Sequence, residues 1–306
     1  MLSPSQGHRQ APPIERVGDF LVESVLGEGA AATIYRARWA DDQSAGAPGE
    51  RPDTVALKVL KPEAMGQPHV LASFQFEARV LSRLNHGGIL RVYQVGVDND
   101  RVYAAMELMD GVSLDKYLLA KKRLSEPFAV DIARQAAEAL AYLHSHGYVH
   151  RDIKPANLML TPQGRVILFD FGTVIRIADG AAYEEGLYGT PAFLAPEQIT
   201  PGRQVDGRAD LYALGMVLYL MVTGRKPFYG SRSQTLDAHL HGAPPAPSDF
   251  ARVAPELESV ILRAIAKAPA DRFQTGTAFA QALAEAKLNP AKPSVGDRLR
   301  GWLRRG

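Results

Sequence analysis

A chain of 306 residues with 46% hydrophobic and 22% charged content is long enough for one large domain or for two lobes around a cleft, and too apolar to be mainly disordered. A net charge of +2 at pH 7, with a sequence pI near 8.7, does not mark a nucleic-acid binder. The absence of cysteine excludes disulfides, thiolate zinc sites and thiol nucleophiles, and accords with a cytoplasmic protein.

The opening MLSPSQGHRQAPP lacks the apolar stretch of a signal peptide and reads as a disordered leader over residues 1–19. From Phe20 to Leu108, β-branched runs at Thr33 to Tyr35, Thr54 to Leu60 and Arg101 to Met106 surround one helical stretch, Ser73 to Leu84. The polar segment from Ala40 to Asp53, rich in Gly and Pro, reads as a hairpin loop. Beyond Gly111 the pattern turns helical: Ser125, Glu126 and Pro127 form a helix start, and Gly147 closes the run that ends at His146. The run Leu211 to Val222 is apolar all round but shorter than the roughly 20 residues a membrane span needs. With Asp210 at its start and Gly224 after its end, it predicts a buried helix through the centre of the second half. The Pro-rich stretch Ala243 to Ser248 reads as a loop between helices. The expected class is α+β and bilobed, a small antiparallel β-sheet lobe with one main helix (about 20–108) followed by a larger, mainly helical lobe (about 112–286).

The densest chemical signal is HRDIKPAN, His150 to Asn157, followed by a strand (Leu158 to Leu160), a TPQG turn and a second strand (Val166 to Phe169) ending at Asp170. Antiparallel pairing brings the outer ends of a hairpin together, so Asn157 and Asp170 become neighbours across thirteen positions. An amide oxygen and a carboxylate suit Mg²⁺, which takes its other ligands from water and phosphates. Asp152 lies just outside this pair, placed to accept a hydroxyl proton.

HRDIKPAN, DFG at Asp170 to Gly172 and APE at Ala195 to Glu197, in this order and spacing, resemble the protein-kinase signature set. The chain looks most like the eukaryotic-like serine/threonine kinases of bacteria over about 20–286. That resemblance implies Asp152 as the catalytic base, Lys154 on the γ-phosphate, and Asn157 and Asp170 as the metal ligands. It implies that Lys58, in VALKVL, pairs with Glu77, in FQFEARVL, and meets the α- and β-phosphates of ATP. LGEGAAATI (Leu26, Gly27, Glu28, Gly29, Ala30, Ala31, Ala32, Thr33, Ile34) matches the glycine-rich nucleotide cover, except that Ala32 replaces the third glycine. A methyl there is expected to restrict the turn slightly. AMELMDG resembles the hinge, with Met106 guarding a back pocket and the backbone of Glu107 and Met109 facing adenine. Lys154 and Thr190, in GTPAFLAPE, match the serine/threonine branch, where Thr190 bonds toward the catalytic aspartate. The cofactors implied are ATP and Mg²⁺, with Mn²⁺ as its substitute, and the partners are proteins with Ser/Thr acceptors, the chain itself among them.

Other positions read as structural. His150 is expected as a packed loop histidine, Asp210 as an anchor for the catalytic-loop backbone, and Glu197 with Arg272 as a buried ion pair. A metal site at His144, His146 and His150 is set aside, because positions i and i+2 do not share a helix face. The segment Asp170 to Glu197 has no serine, and its only threonines are Thr173 and Thr190. A carboxylate partner for Arg151, Glu184 or Glu185, is therefore expected in place of a phosphate. The tail, 287–306, sets Val295, Leu299, Trp302 and Leu303 at helical spacing among arginines, as a basic amphipathic segment for weak membrane-surface or partner contact or for docking on its own domain. Two rivals remain: a pseudokinase, which would have lost Lys58, Asp152 or Asp170, and a small-molecule phosphotransferase, which would lack the GTPAFLAPE platform.

Overall fold

Alternating β-branched and aromatic residues build the first sheet. In the computed structural model, which describes residues 15–40, 52–179 and 189–290, six strands pair antiparallel. They are β1 (Arg16–Val17), β2 (Phe20–Glu28), β3 (Ala32–Trp39), β4 (Thr54–Leu60), β5 (Val92–Asp98) and β6 (Arg101–Glu107), in the order β1-β2-β3-β4-β6-β5. Val55, Leu57 and Val59 share one face of the sheet with Phe20, Ala37, Tyr103 and Ala105, and Tyr35, Trp39 and Tyr93 pack against this core. The Phe20 and Trp39 rings lie 4.4 Å apart. Tyr103 leaves no room at Gly96, where a Cβ would meet its Oη at 2.5 Å. The opposite face carries Ile34, Lys58 and Ala104, directly paired in register.

The leader expected over 1–19 is ordered at its inner end, since Arg16 and Val17 pair with Leu21 and Phe20. Most of the loop expected over 40–53 lies outside the described residues, as does the tail from residue 291.

The chain forms two compact units. One takes the described residues up to Ala72 with Val92–Leu108; the other takes Ser73–Arg91 and the described chain from Met109. After a short α1 (Pro62–Met65), the predicted helix is observed as α2 (Pro68–Leu81), and its body belongs to the second unit rather than to the sheet. The reason is local: Ser73 Oγ donates to Gly172 O (3.2 Å), and the stretch after the helix pairs with Leu168 through Leu168 N to Gly88 O (2.8 Å) and Leu90 N to Leu168 O (2.9 Å).

The second unit contains β7 (Val112–Ser113), α3 (Leu114–Lys121), α4 (Glu126–Ser145), β8 (Tyr148–Val149), β9 (Leu158–Leu160), β10 (Val166–Leu168), β11 (Ile175–Arg176) and α5 (Pro196–Ile199). It continues with α6 (Gly207–Thr223), α7 (Arg232–His241), α8 (Pro255–Ala264) and α9 (Gly276–Glu285). The short strands form the sheets β10-β9-β7 and β11-β8. The apolar run does form a buried helix, α6, closed by Gly224 at φ 74°. Its start is corrected: the Asp206 side chain caps it by accepting from Arg208 N, and Asp210 lies inside the first turn with its carboxylate turned elsewhere. α4 meets α9 so closely that a Cβ on Gly276 would strike Ala137 O. Among the described residues, no helix is long and apolar enough to cross a membrane.

Candidate active site

The expected hairpin forms as read, with Leu158 opposite Leu168 and Leu160 opposite Val166. The ladder extends one step further, because Phe169 N donates to Asn157 O (3.2 Å), so Asn157 and Asp170 flank the same strand ends. Asp170 takes a left-handed backbone, φ 65°, which turns the chain out of the strand. Arg151 does the same at φ 67°. Two such non-glycine residues near one site are the kind of strain that functional loops retain.

Asp210 holds the loop between them. Its Oδ2 accepts from His150 N (2.9 Å) and lies 2.8 Å from His144 Nε2, and its Oδ1 accepts from Arg151 N (2.8 Å). The carboxylate therefore anchors the backbone, as expected, and His144 is in turn in hydrogen-bond contact with it. His150 is wholly buried. Its Nδ1 accepts weakly from Asp152 N (3.4 Å), its Nε2 lies 3.3 Å from Phe169 O, and its ring packs 4.7 Å from that of Phe171. It is a packed loop histidine.

This scaffold presents Asp152 with four donors. Thr190 N (3.1 Å) and Thr190 Oγ1 (3.2 Å) donate to Oδ1, while Lys154 Nζ (2.5 Å) and Asn157 Nδ2 (3.2 Å) donate to Oδ2. Asn157 Nδ2 also donates to Asp152 O (2.9 Å). With its amide nitrogen turned to Asp152, Asn157 keeps Oδ1 as its side-chain acceptor, at the strand end that Asp170 also flanks. This all-oxygen pair fits a hard divalent cation that draws its other ligands from water and phosphate. Among the described residues, no group of three or more His, Asp or Glu converges as a metal site.

The platform is tied down from further on. Gly189, at φ 105°, brings the chain so close that a Cβ would meet Leu194 Cδ2 at 2.7 Å and Arg151 O at 3.2 Å. Gln198 links two loops, donating to Arg151 O (2.9 Å) and accepting from Ala195 N (3.1 Å). Thr173 Oγ1 donates to His150 O (2.8 Å), and Arg151 Nε donates to Thr173 O (2.7 Å). Thr173 and Gln198 carry no sequence signal beyond their places next to DFG and APE. The carboxylates expected for Arg151, Glu184 and Glu185, lie outside the described residues.

The buried ion pair is as expected. Arg272 Nη1 and Nη2 meet Glu197 Oε1 and Oε2 at 2.6 and 2.8 Å, with Arg272 wholly buried.

In the sheet unit, Leu26 to Ile34 form the tip of the β2–β3 hairpin, with Gly27 opposite Ile34 and Glu28 opposite Thr33. Gly29 N donates to Ala32 O (2.8 Å), closing the turn formed by Ala30 and Ala31. Ala32 corrects one expectation. It is already the first residue of β3, paired with Leu60 and buried, so its methyl extends a regular strand rather than restricting the turn. Lys58 sits opposite Ile34 on the face away from the aromatic core. Glu107 ends β6, with Met109 two residues on, and Glu77 lies in α2.

Fold and site together define the class: the chain belongs to the protein kinase family, in its eukaryotic-like serine/threonine branch, and the protein kinase domain model matches residues 20–284. It is 40% identical over 264 residues to the serine/threonine-protein kinase PkaA of Streptomyces coelicolor, covering 83% of this chain and 47% of that one. PknB of Mycolicibacterium smegmatis is 37% identical over 230 residues (72% of this chain, 37% of that one). PknL of Mycobacterium tuberculosis is 33% identical over 266 residues (85% and 63%). The chain thus spans under half the length of PkaA and PknB and under two thirds of PknL. Members of the family use ATP and a divalent metal ion.

Proposed function

We propose that this chain is an active serine/threonine protein kinase that transfers the γ-phosphate of ATP, with Mg²⁺, to Ser or Thr hydroxyls of proteins, itself included. The observation that carries the reading is the Asp152 carboxylate, joined to Thr190 of the acceptor platform through Oδ1 and to Lys154 and Asn157 through Oδ2. One oxygen is thereby tied to the protein-substrate side and the other to the phosphate side.

In this reading Asp152 orients the acceptor hydroxyl and takes its proton as the oxygen bonds to the γ-phosphorus and the bond to the ADP oxygen breaks. Lys154 stabilises charge on the phosphoryl oxygens. Asn157 and Asp170 would hold the metal, whose contribution is to neutralise phosphate charge. Carried over from the family residue by residue, Lys58 with Glu77 positions the α- and β-phosphates, Leu26 to Ile34 cover the nucleotide, and the backbone of Glu107 and Met109 binds adenine.

The test is radiolabelled phosphate transfer to the chain and to a generic basic protein. Asp152→Asn is expected to lower transfer by about 10²- to 10⁴-fold, the usual worth of a general base, with nucleotide binding retained. Wild type that binds ATP but modifies no protein would instead point to a pseudokinase.

A further inference from the structure

The acceptor platform has a second support that the motif residues do not supply. Thr190 is followed by a turn, Pro191–Phe193, and α7 contributes His239 behind it. His239 is wholly buried, its Nδ1 2.8 Å from the hydroxyl of Tyr212 on α6. The Phe228 ring stands edge-on at 5.1 Å and the Tyr212 ring lies at 5.7 Å. Burial pushes the Tyr212 phenol up, so it keeps its proton; with the backbone of Pro191 and Ala192 as the ring's other neighbour, we assign the tautomer in which the Tyr212 hydroxyl donates to Nδ1. The ring proton of His239 is then on Nε2.

That N–H is unspent. Nε2 is buried without a full hydrogen bond, while the backbone of Ala192 and Pro191 acts on the ring in the sense of an accepting carbonyl. Burial, and then the Lys267 ammonium, hold the ring's pKa down at about 4, so at neutral pH the donor is an uncharged N–H. Lys267 stands close by, its Nζ donating to Ala238 O (2.7 Å) and His239 O (2.8 Å) and lying 4.4 Å from the Phe228 ring. Arg272 packs 4.7 Å over the Tyr212 ring and pairs with Glu197. The turn, His239, Tyr212, Arg272 and the APE glutamate therefore form one continuous path. An apolar side chain at this position would fill the aromatic pocket but would leave the buried Tyr212 hydroxyl without its partner and the turn without a donor behind it.

We propose that His239 is a positioning residue for the acceptor platform, its Nε2–H being the donor that the Pro191 and Ala192 carbonyls take up fully when a protein substrate occupies the turn. Hydrogen bonds long in the free enzyme tighten in this way on substrate binding. The inference rests on the protein kinase reading given above and adds to it a residue for protein-substrate affinity, distinct from nucleotide binding.

The experiment measures KM for a basic protein substrate and KM for ATP in the full chain, for wild type, His239→Phe and His239→Gln. His239→Phe is expected to raise the protein KM about tenfold, equivalent to about 1.4 kcal/mol, with the ATP KM unchanged. His239→Gln, whose side-chain amide restores a donor at the far end, recovers most of that loss. Equal protein KM in wild type and His239→Phe, or a Gln variant no better than Phe, overturns the proposal. Should His239→Phe not fold, His239→Asn replaces it: its shorter amide reaches only the Nδ1 position, so Asn must resemble Phe and not Gln. A wild type that binds ATP yet modifies no protein would remove the kinase reading as well, whereas an active wild type with an unaltered His239→Phe removes this inference alone.

Discussion

Arg272 spends all five of its guanidinium N–H groups inside the second unit: two on Glu197, and one each on Ala266 O (2.7 Å), Arg208 O (3.1 Å) and Lys267 O (2.8 Å). A buried pair of this kind is not itself strong evidence for stability, but losing one partner leaves a charge without compensation. Arg272→Leu is expected to destabilise by about 3–5 kcal/mol. Adding Glu197→Leu removes the stranded carboxylate but not the three carbonyls that lose their donor, so the double variant should recover only part of the loss. Urea unfolding of the two variants checks this, and full recovery would mean that the pair alone mattered. The pairing was legible in the sequence only through the family resemblance, since 75 positions separate the partners and no periodicity links them. Asn157 and Asp170 were legible from the residues themselves, because a hairpin makes their distance in space a matter of counting. His239 was not, for a histidine inside a weakly patterned helix carries no mark of what lies beyond its ring.

Elements follow the same division. α6 could be read from an apolar run closed by a glycine, yet its start was placed at Asp210, whereas Asp206 caps the helix and the Asp210 carboxylate is taken by the catalytic-loop backbone, the second role already expected of it. Of the first sheet, β4 and β6 were read nearly to their ends, β3 only in part, and β1, β2 and β5 were not marked out, whereas α2 was placed with the sheet and its body belongs by its contacts to the other unit. One local feature runs against propensity. Lys122 closes α3 with φ 61° and ψ −52°, and Arg123 N donates across it to Lys121 O (2.7 Å). This is a γ-turn of the rare positive-φ kind, strained for any residue with a Cβ. Crowding explains its shape, since Leu124 N donates to Met221 O (2.7 Å) and Gly224 leaves only enough room for Lys122 O. Lys122 is exposed, so its side chain contributes no core packing to offset the strain. Lys122→Gly is therefore expected to stabilise the protein by about 1 kcal/mol, through relief of positive-φ strain less the extra freedom of glycine when unfolded. Thermal or urea unfolding decides the sign. A destabilised variant would show that the lysine side chain makes a contact worth more than the strain.

At the scale of the whole chain, residues 180–188 and the tail from 291 lie outside the described residues. What can be tested on the intact molecule is the link between metal and nucleotide. If Asn157 and Asp170 hold Mg²⁺ against the phosphates, ATP binds the folded state chiefly as the metal complex. Ligand at 100 times its Kd adds about 2.7 kcal/mol to stability, which raises Tm by on the order of 5 °C in a protein of this size. Mg²⁺ with ATP should therefore give the full shift, and ATP with a chelator only a small one. Asp170→Asn loses the charge that holds the metal and should reduce the Mg²⁺-dependent part, whereas Asp152→Asn, which leaves the oxygens of Asn157 and Asp170 in place, should keep it. Scanning calorimetry of the three proteins with and without Mg²⁺ separates these cases. Equal shifts in Asp170→Asn and wild type would take the metal away from this pair, while loss of the shift in Asp152→Asn would mean that the loop held by Asp210 had moved as a whole.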